Sequence, residues 1–275
     1  MQLNSDSLPE GCFLNWDRRN SSIRVFRTLV MLASCLGSAV LVRGAPADAL
    51  FRYATNAYYS GDYAQAAAAF SQAAALKPAA GTLQNLGCAE WERGQTGPAI
   101  LAWEQALWLN PFLSVVTDNL RFARRTAQLE TPNLAWYEVV SSWLPPNWWA
   151  CVAGVSLWFA LGVSTLPGIL RWRKAAWQQA LAAFGLAIFL LSLPAHLGVN
   201  SRARLGFIIL KDTPLRLTPT AEAQYITRLP AGEPGRLERW RGGYLLLQTG
   251  HATGWVRANE FQLICSSGAE IGHPR

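Results

Sequence analysis

The sequence predicts a multidomain membrane protein in three parts: an all-α helical repeat pair with a capping helix, a two-helix transmembrane hairpin, and a small all-β barrel. Three observations predict it. Between Asp48 and Glu130 the chain matches itself at an offset of 33 residues; two long uncharged runs follow, parted by four residues; and beyond Asn200 short apolar stretches alternate with Pro and Gly. Each grammar belongs to a different solvent or a different packing problem.

The 275 residues are 51% hydrophobic and only 15% charged, which concentrates the missing charge in long apolar runs. The formal net charge of +7 is unevenly placed: residues 48–130 hold seven acids and six bases, and residues 200–275 ten bases and six acids. A nucleic-acid-binding domain gathers its Lys and Arg on one folded face. Here many of the Arg residues flank apolar segments, where they meet lipid phosphates or set topology, so no nucleic acid is expected. The five cysteines, Cys12, Cys35, Cys88, Cys151 and Cys265, form no CxxC pair and no spacing of a metal or disulfide framework.

The first apolar run, Thr28 to Val42, follows Arg18, Arg19, Arg24 and Arg27 and precedes Ala45-Pro46-Ala47. A basic region, an apolar stretch too short for the ~20 residues of a span, and a small-residue A-x-A pattern read as a signal peptide over residues 1–47. Two alternatives stay open. The long basic region permits an uncleaved anchor, and Leu32-Ala33-Ser34-Cys35 resembles a lipobox that would lipidate Cys35.

After a linker over 131–147, Trp148 to Leu170 and Ala175 to Val199 carry no formal charge and are separated only by Arg171-Trp172-Arg173-Lys174. This is a transmembrane hairpin over 148–199, with Trp143, Trp148, Trp149, Trp172 and Trp177 at headgroup level. The basic turn places its end in the cytoplasm, which puts both flanking soluble parts on the periplasmic side of a bacterial inner membrane.

Within 48–130, seven pairs recur at the offset of 33: Leu50/Leu83, Gly61/Gly94, Ala66/Ala99, Phe70/Trp103, Ala73/Ala106, Leu76/Leu109 and Pro78/Pro111. Gly permits the turn between helices, Ala lets them approach closely, and Pro stops the second helix. The order resembles the tetratricopeptide repeat, with Gly87 at the close-packing position of the first helix and Ala54 in its place in the first repeat. Ser114 to Leu129 reads as a capping helix, because two repeats alone leave an apolar end. Aligned on the repeat, Phe51, Thr55, Tyr58, Tyr59, Gln84, Cys88, Trp91, Asp118, Phe122 and Arg125 face a concave groove. Tyr58, Trp91 and Phe122 are its aromatic anchors for an extended or helical peptide. Asn85 and Asn119 stand where some tetratricopeptide domains grip a peptide backbone, without the accompanying lysines of a carboxylate clamp.

A short linker over 200–206 leads to Phe207 to Ile264, where Ile208-Ile209-Leu210, Leu215-Arg216-Leu217, Gly235-Arg236-Leu237, Tyr244 to Leu247 and Gly254 to Arg257 read as strands, followed by a tail over 265–275. Leu215-Arg216-Leu217-Thr218-Pro219, Leu229-Pro230-Ala231-Gly232 and Gly254-Trp255-Val256 resemble a bacterial Src-homology-3-like (SH3-like) barrel. Trp255 is expected to fill the barrel core. Tyr225, Trp240 and Tyr244 are candidates for a ligand site on the barrel, with peptidoglycan as a possible ligand.

The order of signal, repeat pair, hairpin and barrel, carried by Tyr59 to Tyr63, Asn85-Leu86-Gly87, Gly97 to Ile100, Trp103 to Leu107 and Leu109-Asn110-Pro111, resembles the tetratricopeptide member of the Bat (Bacteroides aerotolerance) group. The 33-residue spacing and long basic N-terminal region depart from that pattern. The resemblance implies partners among membrane proteins with von Willebrand A-type domains, in a system linked to envelope integrity and stress tolerance. No enzyme is expected: the sequence has no phosphate-binding Gly loop, nucleophile elbow or HExxH, and of its three histidines His196 lies in the second long apolar run, His273 in the tail, and His251 has no acid nearby in sequence for a relay. By the same reading no cofactor and no metal are expected.

Overall fold

The computed structural model describes residues 46–169 and 176–265; the predicted leader through Ala45, the basic turn Arg171 to Lys174 and most of the tail lie outside these. Helix α1 (Pro46–Tyr59) opens with Pro in its first turn and Asp48 near its N-terminus, where a fixed φ and a negative charge both favour the helix. Gly61, at φ +81°, turns the chain into α2 (Tyr63–Leu76), whose N-cap Asp62 accepts a hydrogen bond from the Gln65 amide at 3.0 Å. The unit repeats as α3 (Ala80–Glu92), Gly94 at φ +72°, and α4 (Thr96–Leu109), so α2 and α4 start and end 33 residues apart. Phe70 and Trp103, the matched aromatics, are both fully buried. A Cβ on Gly87 would lie 2.4 Å from Trp103 Nε1, so the indole fits only against glycine, and it donates to the Gln84 carbonyl at 3.2 Å. Helix α5 (Ser114–Thr126) packs on α4 with Val116, Leu120 and Ala123 inward, which covers the open end of the pair.

A short helix, α6 (Trp136–Ser141), precedes α7 (Pro146–Ile169) and α8 (Ala176–Arg202), which pack on each other. At 1.5 Å per residue α7 and α8 are about 36 and 40 Å long, against about 30 Å for a bilayer core. Both are long and apolar enough to span a membrane. Their apolar surfaces, among them Val155, Trp158, Leu191 and Leu197, are exposed, unlike those of helices inside a soluble core.

The chain then forms β1 (Leu205–Ile208), β2 (Thr213–Arg216), β3 (Tyr225–Leu229), β4 (Pro234–Arg241), β5 (Tyr244–Thr249), β6 (Thr253–Arg257) and, after a turn of 3₁₀ helix, β7 (Phe261–Leu263). These make one antiparallel seven-stranded sheet in the order β3-β2-β6-β5-β4-β1-β7. The expected closed barrel is therefore corrected to an open sheet with edges at β3 and β7. Irregular register at Leu215/Arg216 and Leu237/Arg239 bends it around a core of Ile208, Leu215, Leu229, Leu245, Leu247, Val256 and Phe261.

Beside β1 and β7 lies the helical array. Leu205, Phe207 and Ile264 share one buried cluster with Ile100, Trp103, Val116 and Leu120, so two segments separated by the α7–α8 pair complete each other's core. Gly97 in the first turn of α4 admits the end of β1: a Cβ there would stand 2.4 Å from the Ile209 carbonyl oxygen. Arg236 on β4 donates to both oxygens of Glu138 on α6, at 2.7 and 3.0 Å, and to Ser201 at the end of α8. The Arg202 guanidinium lies 5.2 Å over the Trp108 ring of α4. Array, sheet and hairpin end are thereby joined at one place.

Candidate interaction surfaces

The first helix of each pair and α5 carry the expected groove residues. Trp91 on α3 stands between Trp103, 6.0 Å away, and Phe122 on α5, 5.7 Å away edge to face, and both Trp91 and Phe122 are half-exposed. Tyr58 on α1 is half-buried, 5.3 Å from Tyr63 and 6.2 Å from Tyr59, and Tyr59 is exposed. Burial, and after it the charges of Glu92 and the neighbouring tyrosines, raise the Tyr58 hydroxyl well above its usual range, so it is a hydrogen-bonding phenol at neutral pH. Asp118 and Arg125 are exposed, and Asp118 pairs with Arg121 at 2.9 Å.

Other expected groove residues turn inward. Gln84 and Cys88 are fully buried, because the central helix α3 is packed by both α2 and α4 and keeps little free surface. Phe51 packs edge to face on Phe70 at 5.5 Å, and the Thr55 hydroxyl donates to its own helix at the Phe51 carbonyl. Asn85 and Asn119, expected to grip a peptide backbone, are each 1% exposed; Asn119 donates to Cys88 Sγ at 3.8 Å, and the Asn85 side-chain amide has no hydrogen-bond partner among the described residues.

On the sheet, Trp240 is in register with Leu245 and packs on the sheet core, whereas Tyr244 and Tyr225 lie on the other face. The three residues expected as one barrel site are thus divided between two faces. Trp255 is corrected in the same way. Val256 is the fully buried residue, and Trp255, half-buried, faces away from that core, in register with Arg216 and Leu246. Tyr225 also pairs with Arg216, whose guanidinium lies 6.0 Å over the Tyr244 ring and is buried against Glu260 at 3.6 Å, so Tyr225, Trp255 and Tyr244 share one aromatic face beside a neutralised Arg216. The sequence reading missed Arg216 because a single Arg in a strand carries no signal of what lies across from it.

Along the junction of array and sheet runs a cleft of about 510 Å³, lined by Leu86, Leu101, Trp108 and Ile264 together with Glu90 and Gln105. Burial raises the Glu90 carboxyl above its ordinary value, against the opposing charge of Arg93. Cys151 and Cys265 are free thiols. Among the described residues no three His, Cys, Asp or Glu side chains are grouped to hold a metal ion. No family model, curated protein or solved structure matches this chain.

Proposed function

We propose that this chain is a membrane-anchored, non-enzymatic protein–protein interaction scaffold of a bacterial inner membrane, with its soluble body in the periplasm. The observation that carries this reading is the aromatic run of Tyr58, Trp91 and Phe122 along alternate helices α1, α3 and α5, partly open to solvent. Aromatic side chains held by packing lose little entropy on binding and desolvate a partner well. The 33-residue period, the Gly turns and the Gly87–Trp103 contact support a tetratricopeptide-type array, and the short bulged strands support an open relative of the SH3-like module. The partner class is that implied by the Bat-type resemblance, a membrane protein with a von Willebrand A-type domain.

Confinement of both proteins to one membrane raises their effective concentration, so a modest groove affinity suffices. The test is co-purification with the detergent-solubilised full chain. Wild type should recover such a membrane protein, Arg125→Glu should lose it without change in thermal melting, and Trp91→Ala should lose it too. Retention by both variants overturns the groove reading. A periplasm-only reporter fused after Ile264 should be active.

A second reading, binding of cell-wall peptidoglycan, is favoured by the Tyr225, Trp255 and Tyr244 face, since aromatic rings stack on sugars. Trp255→Ala in the full chain should then abolish sedimentation with purified cell wall while leaving protein co-purification intact.

A further inference from the structure

Helix α6 is built inside out. Trp136, Val139 and Trp143 fall at i, i+3 and i+7 on one stripe and are 69%, 42% and 62% exposed, and the turn continues through Trp143, whose amide donates to the Val140 carbonyl at 3.2 Å. On the opposite stripe, Glu138 and Ser141 are 1% and 0% exposed. The carboxylate is inside, neutralised by the Arg236 guanidinium, and the indoles are outside. Water selects the reverse order. An apolar stripe facing out and a paired charge facing in suit an element whose surroundings are lipid.

The height of α6 along the hairpin agrees. It packs backbone-close on α8 at Gly198, where a Cβ would lie 2.2 Å from the Tyr137 carbonyl oxygen and 2.7 Å from Ser141 Cβ. From Trp177, exposed at the start of α8, to Gly198 is 21 residues, a rise of about 32 Å, close to the ~30 Å thickness of a bilayer core. With Trp177 at one border, Gly198 and the helix lying on it stand at the other. Trp148, exposed in the first turn of α7, and Trp149, whose indole donates to the Ser141 carbonyl at 3.1 Å, join α6 to the same level.

We propose that Trp136, Val139 and Trp143 form a ledge that sits in the headgroup and upper acyl region of the bilayer, so that the helical array and sheet are seated on the membrane surface and not held above it on a tether. The inference rests on the membrane-anchored reading given above. Its partner is the lipid interface itself, reached by apolar and indole contact and therefore indifferent to headgroup charge. The ledge fixes the height of the array through the Glu138–Arg236 pair and the α6–α8 contact, which restricts the groove to partners whose binding segment lies near the membrane surface.

The test places a dansyl-bearing unnatural amino acid at Val139, Val155 or Ala258 of the full chain, reconstituted in phosphatidylcholine vesicles. All three positions are exposed, so the label is tolerated. Quenching by nitroxide-labelled phosphatidylcholine is compared with quenching by aqueous iodide. The ledge predicts that the Val139 label, like the Val155 label in mid-helix, is quenched at least twofold more by the nitroxide lipid than the Ala258 label, and that vesicles with added anionic lipid give the same result. Replacing Trp136 and Trp143 together by Ser should return the Val139 label to iodide. A Val139 label that follows Ala258 while Val155 is lipid-quenched overturns the ledge and leaves the hairpin standing. Failure of lipid quenching at Val155 as well removes the membrane reading, and the ledge with it.

Discussion

Substituting Gly97 by Ala sets two effects of opposite sign against each other. In a helix Ala is favoured over Gly by up to about 1 kcal/mol, and by less in a first turn, so an isolated α4 would gain. Docked on the sheet, the new Cβ would stand 2.4 Å from the Ile209 carbonyl oxygen and 2.7 Å from that of Ile208. Neither oxygen is at the end of a flexible side chain: the Ile208 carbonyl accepts from Gly232 at 2.8 Å, and the Ile209 amide donates to Glu260 at 2.9 Å. The helix end must therefore move away, at the roughly 1–3 kcal/mol typical of overpacking. The net loss is about 1–2 kcal/mol, or about 2–8 °C in melting temperature for a body of this size. Hydrogen exchange of the detergent-solubilised full chain should lose protection in α4 and β1 together. A variant that melts higher than wild type, with β1 protection unchanged, would refute the docking of array on sheet.

Arg236→Met should cost about 3 kcal/mol in denaturant melts, because it strands Glu138 in a nearly waterless site. Burial alone would raise the Glu138 carboxyl, but hydrogen bonds from Arg236, Ser201 and the Ala135 amide hold it below its ordinary value. Its stabilisation is thus present above the ordinary carboxyl range and lost as pH falls through the lowered value; melts of the Arg236→Met variant should lack that acid-side loss. Glu233 has the opposite sign: burial raises its carboxyl, partly offset by His251 and reinforced by Glu130, so its ionisation opposes folding as pH rises through the raised value. Glu233→Gln should therefore raise the melting temperature at pH 7 to 8 and leave it nearly unchanged at pH 4. Val256→Ala should cost about 2–3 kcal/mol from the sheet core, whereas Trp255→Ala should leave the sheet folded, as read by amide exchange in β5 and β6.

The period of 33 was enough to place α2, α4 and their turns, because each matched residue has a local mechanical task that shows in its type: Gly61 and Gly94 adopt positive φ, and Phe70 and Trp103 are buried. The two long helices were legible from length alone. Strands β2, β5 and β6 followed from their apolar stretches, but β3, with Tyr225 and Ile226 both exposed, and β7, of three residues, offer no alternation to read. Closure of the sheet was misjudged because it depends on whether the end strands meet, which no single strand records. Trp255 drew the core assignment by its size, although the parity of Leu245 and Leu247 against Val256 already points the other way. Gln84 and Asn85 turned inward for a reason outside their own repeat, since α3 is central and packed by both neighbouring helices. The Arg236–Glu138 pair joins residues 98 positions apart, and nothing local in either announces the other.

The core shared by Ile100, Val116, Phe207 and Ile264 also imposes an order of events on a ribosome. The array emerges first, and until the last sixty or so residues have followed, Ile100 and Val116 have only part of their covering. Those residues can arrive only after both long helices have been made. On the membrane-anchored reading proposed above, an insertion error that left one helix uncrossed would deliver the sheet to the opposite compartment, where neither half could finish its interior. The unfinished array would then display sticky surface to chaperones and proteases. On that reading the threading of the hairpin is checked by the folding of what flanks it, and faulty topology becomes a fault that ordinary quality control recognises.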